Sequence, residues 1–267
     1  MSTPLVQFGN PHLWQEVYST LKGPLDAIKS LEPLIQEMIE AAENSRSTKA
    51  QRVIEMFALT AARALNDLII LVGNGAGLGA MILSRGMFEC VVMAEYLRRN
   101  PREQADYTAF GIVTAWHRYK GLKKDSPEKA KVIRPETIAL VRRKYSRAAA
   151  RLKDRKGDLR RQWHRKPLRH MAEEVGLGEQ YAIAYRLAAS MHHASFEGIA
   201  AHLRIEGEEV TFGEPSVEEW LHEALISGHT YTLQILETLN RAMRLGFKAR
   251  LQKALEDFMR VWGKGQS

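Results

Sequence analysis

The chain has 267 residues, room for a sizeable core in one large domain or two small ones, and its 45% hydrophobic and 26% charged residues exclude a disordered polypeptide. A single cysteine, Cys90, excludes an internal disulfide and a cysteine-based zinc site and fits a reducing compartment. The net charge of +8 is concentrated: from Arg142 to Arg169 thirteen Lys or Arg stand against Asp154 and Asp158 alone, so that segment carries +11 and the remainder −3.

Residues Met1 to Phe8 lack the basic region and apolar run of a signal peptide. The most apolar stretch, Leu65 to Leu97, is interrupted by Arg85, Glu89 and four glycines between Gly73 and Gly79. It falls short of the roughly 20 apolar residues a bilayer span requires. A cytoplasmic protein with no membrane segment is expected.

Apolar residues recur at helical spacing through most of the sequence. A first helix is predicted over Leu13 to Glu43, bent or split at Gly23-Pro24, and a second over Thr48 to Val72 with the stripe Ile54, Phe57, Ala58, Ala61, Leu65, Leu68. After the turn Gly73-Asn74-Gly75-Ala76-Gly77, a third runs from Leu78 to Arg99, and Asn100-Pro101 opens a fourth that reaches about Gly121. A basic fifth helix spans about Pro135 to Lys156, followed by a loop at Trp163-His164, a short helix over Leu168 to Val175 and a longer one over Gly178 to His202. Leu203 to Phe212 alternates and reads as a β-hairpin around Glu-Gly. Ser216-Val217-Glu218-Glu219 is a capping box for a long terminal helix, broken near Gly246 and ending about Trp262. The expected fold is all-α: a single multi-helix bundle over residues 1–267 with one small β-hairpin near 203–212.

The glycine run after Val72 mimics a dinucleotide-binding loop, and Glu95 lies 20 residues after Gly75, where a ribose-binding acid belongs. That fingerprint needs further strands, and helices follow instead, so a helix–helix turn with glycine caps is the better reading.

Four groups of residues suit chemistry. Arg85 and Glu89 are spaced i, i+4 inside an apolar helix, where charges are paired with each other or functional. On the late helix Arg186, Ser190 and His193 share a face and His192 lies beside them, a set able to neutralise phosphate and move protons in metal-independent RNA cleavage, or to hydrogen-bond between helices. The spacing is not diagnostic, since Arg165 to His170 repeats it across Pro167. The basic segment supplies Arg142, Arg143, Lys144, Arg147, Arg151, Lys153, Arg160, Arg161, Arg165, Lys166 and Arg169, a candidate surface for RNA or another polyanion, or else a solvated helix face. Within it Trp163 and His164 are suited to stacking on a base or to covering the core. Only one Glu-x-x-His stretch, Glu219 to His222, is present, so neither a metal nor another cofactor is expected.

The series Arg85-x3-Glu89, Glu95-Tyr96-Leu97, Trp163, Arg169-His170-Met171-Ala172 and Tyr181-x3-Tyr185-x4-Ser190-x2-His193 resembles an uncharacterised family of bacterial helical proteins, a domain of unknown function, over about Thr48 to His202. That family looks related to the helical bundles of HEPN ribonucleases in toxin–antitoxin and phage-defence systems. The resemblance implies an Arg-x4–6-His motif at Arg186 with His192 or His193 and a homodimer that joins two motifs. Leu187 departs from the polar residue such enzymes often carry after the arginine. RNA binding, with cleavage as its extension, is the first expectation; a non-enzymatic module contacting nucleic acid or an acidic protein partner is the second.

Overall fold

The computed structural model describes residues 11–154, 156–164, 166–192, 203–206, 209–212 and 217–263. Its class is all-α. In order come α1 (Pro11–Thr20), α2 (Lys22–Lys29), α3 (Glu32–Asn44), α4 (Lys49–Gly73), α5 (Gly77–Arg99), a 3-10 turn (Pro101–Glu103), α6 (Gln104–Asp125), α7 (Pro127–Ala130) and α8 (Pro135–Arg151). Then follow α9 (Leu168–Val175), α10 (Gly178–Gln180), a π-helical turn (Tyr181–Tyr185), α11 (Arg186–His192), α12 (Val217–Met243) and α13 (Lys248–Trp262). Two short strands, Leu203–Glu206 and Glu209–Phe212, pair antiparallel with Leu203 opposite Phe212. Ser216 and residues 193–202 lie outside the described residues. The predicted single bundle meets a chain whose contacts divide into two compact units, Met1–Arg98 with Leu168–Ser267, and Arg99–Pro167.

The predicted first helix is three helices, and Gly23-Pro24 sits in the opening turn of α2, where proline's missing N–H costs nothing. Helix α4 starts in a capping box: Thr48 Oγ1 accepts from Gln51 N at 3.3 Å and Gln51 Oε1 accepts from Thr48 N at 2.8 Å. The Gln51 amide also donates to the Ala242 carbonyl at 2.7 Å, which ties the start of α4 to the end of α12. Gly228 of α12 meets Leu65 and Leu68 of α4, so these two helices run antiparallel. Helix α5 runs parallel to α12, with Phe88 5.4 Å from Tyr231 and Thr238 donating to Glu95 at 3.3 Å.

Packing explains the glycine run. A Cβ on Gly73 would lie 2.3 Å from the Trp14 ring, and one on Gly77 would lie 2.7 Å from Trp220 Cβ and 3.0 Å from the Leu221 amide nitrogen. Gly75 takes φ 72 in the turn between α4 and α5. These glycines let α1 and α12 approach closely, and no parallel sheet accompanies them among the described residues. Helices α4 and α5 are long and apolar enough to cross a membrane by length and composition alone. Here Ile54, Leu65, Leu68, Met87, Phe88 and Leu97 are buried within the unit.

In the unit Arg99–Pro167, α6 and α8 form an antiparallel hairpin over a core of Ala109, Val113, Ala148 and Leu152. Helix α8 stops at Arg151, short of the predicted Lys156, because Asp154 Oδ1 accepts from the amides of Lys156 (2.8 Å) and Asp158 (3.0 Å) around Gly157 at φ 86.

Beyond α3, the cluster Leu31, Leu34, Met38, Leu233, Leu236, Leu251 and Ala254 joins α3, α12 and α13. Next to it His229 is 1% exposed, its Nδ1 accepts from Trp262 Nε1 at 3.2 Å, and Phe258 stands edge-on at 4.9 Å. Burial pushes its pKa down to about 4. The unfolded chain therefore takes up the proton first: stability is complete above pH 6.5 and is lost as pH falls toward 4, by about 3 kcal/mol. His229→Phe should remove that slope, as read in melting curves from pH 7 to pH 4.5.

Candidate functional site

Charge separates with the fold. Residues 99–167 hold 21 Lys or Arg against seven Asp or Glu, a net of +14, which leaves −6 for the rest of the chain. Helix α6 adds the exposed Arg118, Lys120, Lys123 and Lys124, which lie outside the 142–169 stretch that marked the basic segment in the sequence. Four cations within the seven residues 118 to 124 were the signal for them. On and after α8, Arg142, Arg143, Lys144, Arg147, Lys153 and Arg161 are exposed and make no ion pair among the described residues.

Other members of the basic segment have structural partners. Asp106 of α6 accepts from Arg151 Nε and, at 2.6 Å, from Arg160 Nη2. Arg160 is only 11% exposed and also donates to the Trp163 carbonyl at 3.0 Å, so it clamps the loop after α8 and is withdrawn from the phosphate-contacting set. Trp163 is likewise corrected: it is buried, edge-on to Tyr107 at 5.4 Å, and covers the core instead of offering a face to a base. Burial lowers the His164 pKa, so this ring adds no charge near neutrality. Lys166 is exposed, Arg165 lies outside the described residues, and Arg169 belongs to the other unit, paired with Glu173 at 2.9 Å.

Around the far end of the hairpin seam lies an aromatic group that the sequence reading passed over. Trp116 stands 5.7 Å from Tyr119 and 5.8 Å from Tyr145, His117 Nε2 is 3.2 Å from the Tyr145 hydroxyl, and Lys120 Nζ lies 5.9 Å from the Tyr145 ring. Trp116, Tyr119 and Tyr145 are partly exposed and His117 is exposed.

In the larger unit the structure brings Arg85 and Glu89 together as a pair, with Nε 3.2 Å from Oε1. Tyr185 completes the group: its hydroxyl accepts from Arg85 Nε at 3.3 Å and donates to Glu89 Oε1 at 3.0 Å, while the guanidinium carbon lies 5.3 Å from the ring centre. The π-helical turn stacks Tyr181 on Tyr185 at 4.9 Å and sets Tyr185 5.3 Å from Phe88. Burial raises the Tyr185 pKa, so the bridging group is a neutral phenol. Burial opposes the Arg85 charge, but the Tyr185 and Glu89 contacts outweigh it and the guanidinium pKa is raised.

The late-helix residues are placed differently. Arg186 is exposed at the start of α11, with no hydrogen bond or ion pair to Arg85 or Glu89 among the described residues. Ser190 is half-buried and its hydroxyl donates to the Leu187 carbonyl at 2.8 Å. His192 ends α11, and His193 lies outside the described residues. His222 packs edge-on against Trp262 at 4.9 Å, and no three His, Cys, Asp or Glu converge on a metal position among the described residues.

The Tyr185 bridge is testable as a unit. Tyr185→Phe keeps the ring contacts with Phe88 and Tyr181 and removes the shared hydroxyl. It should lower the unfolding free energy by about 1 kcal/mol in denaturant titration, while Tyr181→Phe should change it by less than half as much.

No curated protein and no solved structure matches the chain. Residues 51–210 match a family of unknown function, DUF5677, a stretch running from the first turn of α4 to the second strand and including Arg85, Glu89 and Tyr185. That match covers more than half of the sequence, and the chain belongs to the DUF5677 family.

Proposed function

We propose that this protein binds RNA through the unit Arg99–Pro167, in the cytoplasm, as a helical binding module. The observation that carries this is the net +14 of that unit together with the exposed Arg142, Arg143, Lys144, Arg147, Lys153 and Arg161, which make no ion pair among the described residues. Phosphates neutralised by such side chains release condensed counterions, so affinity is governed by salt. With about five of the six cations engaged on a single strand, log K against log salt should fall with a slope of about −3 to −4. Replacing Arg142, Arg143, Lys144 and Arg147 together by Gln should flatten the slope by roughly two thirds and weaken binding at low salt, as read by fluorescence anisotropy. Binding that ignores salt, or a preference for an acidic protein over RNA at equal charge, overturns this reading.

RNA cleavage in stress or phage defence is the second reading, which the HEPN-like resemblance suggests. Tyr185 favours it, because it links Arg85 and Glu89 to the stretch that carries Arg186, Ser190, His192 and His193. In that chemistry a 2′-hydroxyl loses its proton to histidine and attacks phosphorus. The bond to the 5′-oxygen breaks as that oxygen gains a proton, and an arginine offsets the charge on the phosphoryl oxygens. Total RNA incubated with wild type in EDTA should then yield 2′,3′-cyclic phosphate and 5′-hydroxyl ends, and His193→Ala should abolish them with RNA affinity and melting temperature unchanged. Intact RNA in both samples leaves the binding module as the function.

A further inference from the structure

The α6–α8 hairpin changes character along its length. Asp106 meets Arg151 at one end, and Ala109 and Val113 meet Ala148 and Leu152 in the middle. One turn further along α6 come Trp116 and His117, facing Tyr145. At the next helical steps on the same face of α6 the residues are Lys120 and Lys124, both exposed. A packing seam keeps its apolar side chains, aromatic ones included, mostly out of water. This one passes from small apolar residues to aromatic rings and then to lysines.

The rings are partly open to solvent and tilted to one another, 35° between Trp116 and Tyr119 and 41° between Trp116 and Tyr145. A hydrogen bond shared between His117 and the Tyr145 hydroxyl, and the Lys120 ammonium near the Tyr145 ring, hold that ring in place. Exposed cations flank them: Arg118, Lys120, Lys123 and Lys124 on α6, Arg142 and Lys144 on α8. Aromatic faces stepped along a cationic surface are the chemistry that holds unstacked bases while the backbone tracks the charge. In paired RNA the base faces are already stacked and hidden, and the rings would contribute nothing.

We infer that the Trp116, Tyr119 and Tyr145 group makes this unit selective for single-stranded RNA, with bases stacked on Trp116. This rests on the RNA-binding reading above. The backbone is held by the surrounding lysines and arginines, so the preference is for strandedness and not for base identity.

The experiment is anisotropy with the full chain at one fixed salt concentration, using a labelled uridine-rich 20-nucleotide strand and a blunt duplex of the same length. Wild type should bind the single strand at least tenfold more tightly. Trp116→Leu should cost the single strand roughly tenfold and leave the duplex unchanged, and Trp116→Phe should restore most of the loss. Should Trp116→Leu fold poorly, ultraviolet crosslinking of the uridine strand to wild type decides instead: adducts on the peptides carrying Trp116, Tyr119 or Tyr145 support the inference, and adducts confined to other peptides overturn it. Equal binding of strand and duplex, lost equally in the Gln variants of the cations, overturns stacking and leaves RNA binding standing. Binding to neither RNA removes the parent reading and this one with it.

Discussion

A unit of 69 residues with a net charge of +14 repels itself, and everything proposed for it depends on how that repulsion is contained. Asp106 is the main device. Its carboxylate sits between Arg151 at the end of α8 and Arg160 in the following loop, and Arg160 passes the restraint on to the Trp163 carbonyl. Trp163 then closes against Tyr107, one residue after Asp106. One carboxylate thus fixes the open end of the hairpin, and small residues along the seam let the helices lie close enough for it to reach. Asp154 is engaged in its own turn. With two of the acids used internally, the outward cations of α8 are left without ion-pair partners among the described residues, and under the proposed reading a polyanion would relieve a repulsion that the fold itself sustains.

The sequence carried much of this, and physical reasons separate what it carried from what it did not. Helical periodicity located α4 and α9, each of which buries one stripe, and apolar continuity between end signals located α5 and α12, which are buried on most of their faces, all to within a few residues. The concentration of charge was visible because it is a property of composition. Which cations stay free was not, because that is settled by partners far away in the chain: Arg160 is claimed by Asp106, 54 residues earlier, and Trp163 by Tyr107. The aromatic group was invisible for the same reason, with Trp116 and Tyr145 on different helices.

The Arg85, Glu89 and Tyr185 group shows the same limit from the other side. The i, i+4 pair on α5 was legible as a pair, since charges inside an apolar helix need compensation. Its third member was not, because the spacing of Tyr181 and Tyr185 also fits an ordinary α-helical turn. The π-helical turn widens that local register and still stacks the two rings, which brings the Tyr185 hydroxyl into the gap between guanidinium and carboxylate. A neutral phenol there satisfies both ions without adding charge to a half-buried place.

Charge also weighs between the two functional readings. The unit that holds Arg85, Glu89 and Tyr185 is the part of the chain with net charge −6, and Glu89 formally cancels the charge of the only arginine in the group. A phosphate approaching Arg85 meets that carboxylate at close range, where screening is weakest. Arg186 is exposed, and among the described residues it makes no hydrogen bond or ion pair to Arg85 or Glu89. The basic hairpin offers less opposition: its central carboxylate, Asp106, is already occupied by two arginines, and the exposed Asp125 and Glu136 are outnumbered by the free cations of α6 and α8. Under the proposed RNA-binding reading, the first encounter would therefore fall on the hairpin, and any chemistry at the tyrosine bridge would have to draw on local hydrogen bonds instead of the field of its own unit.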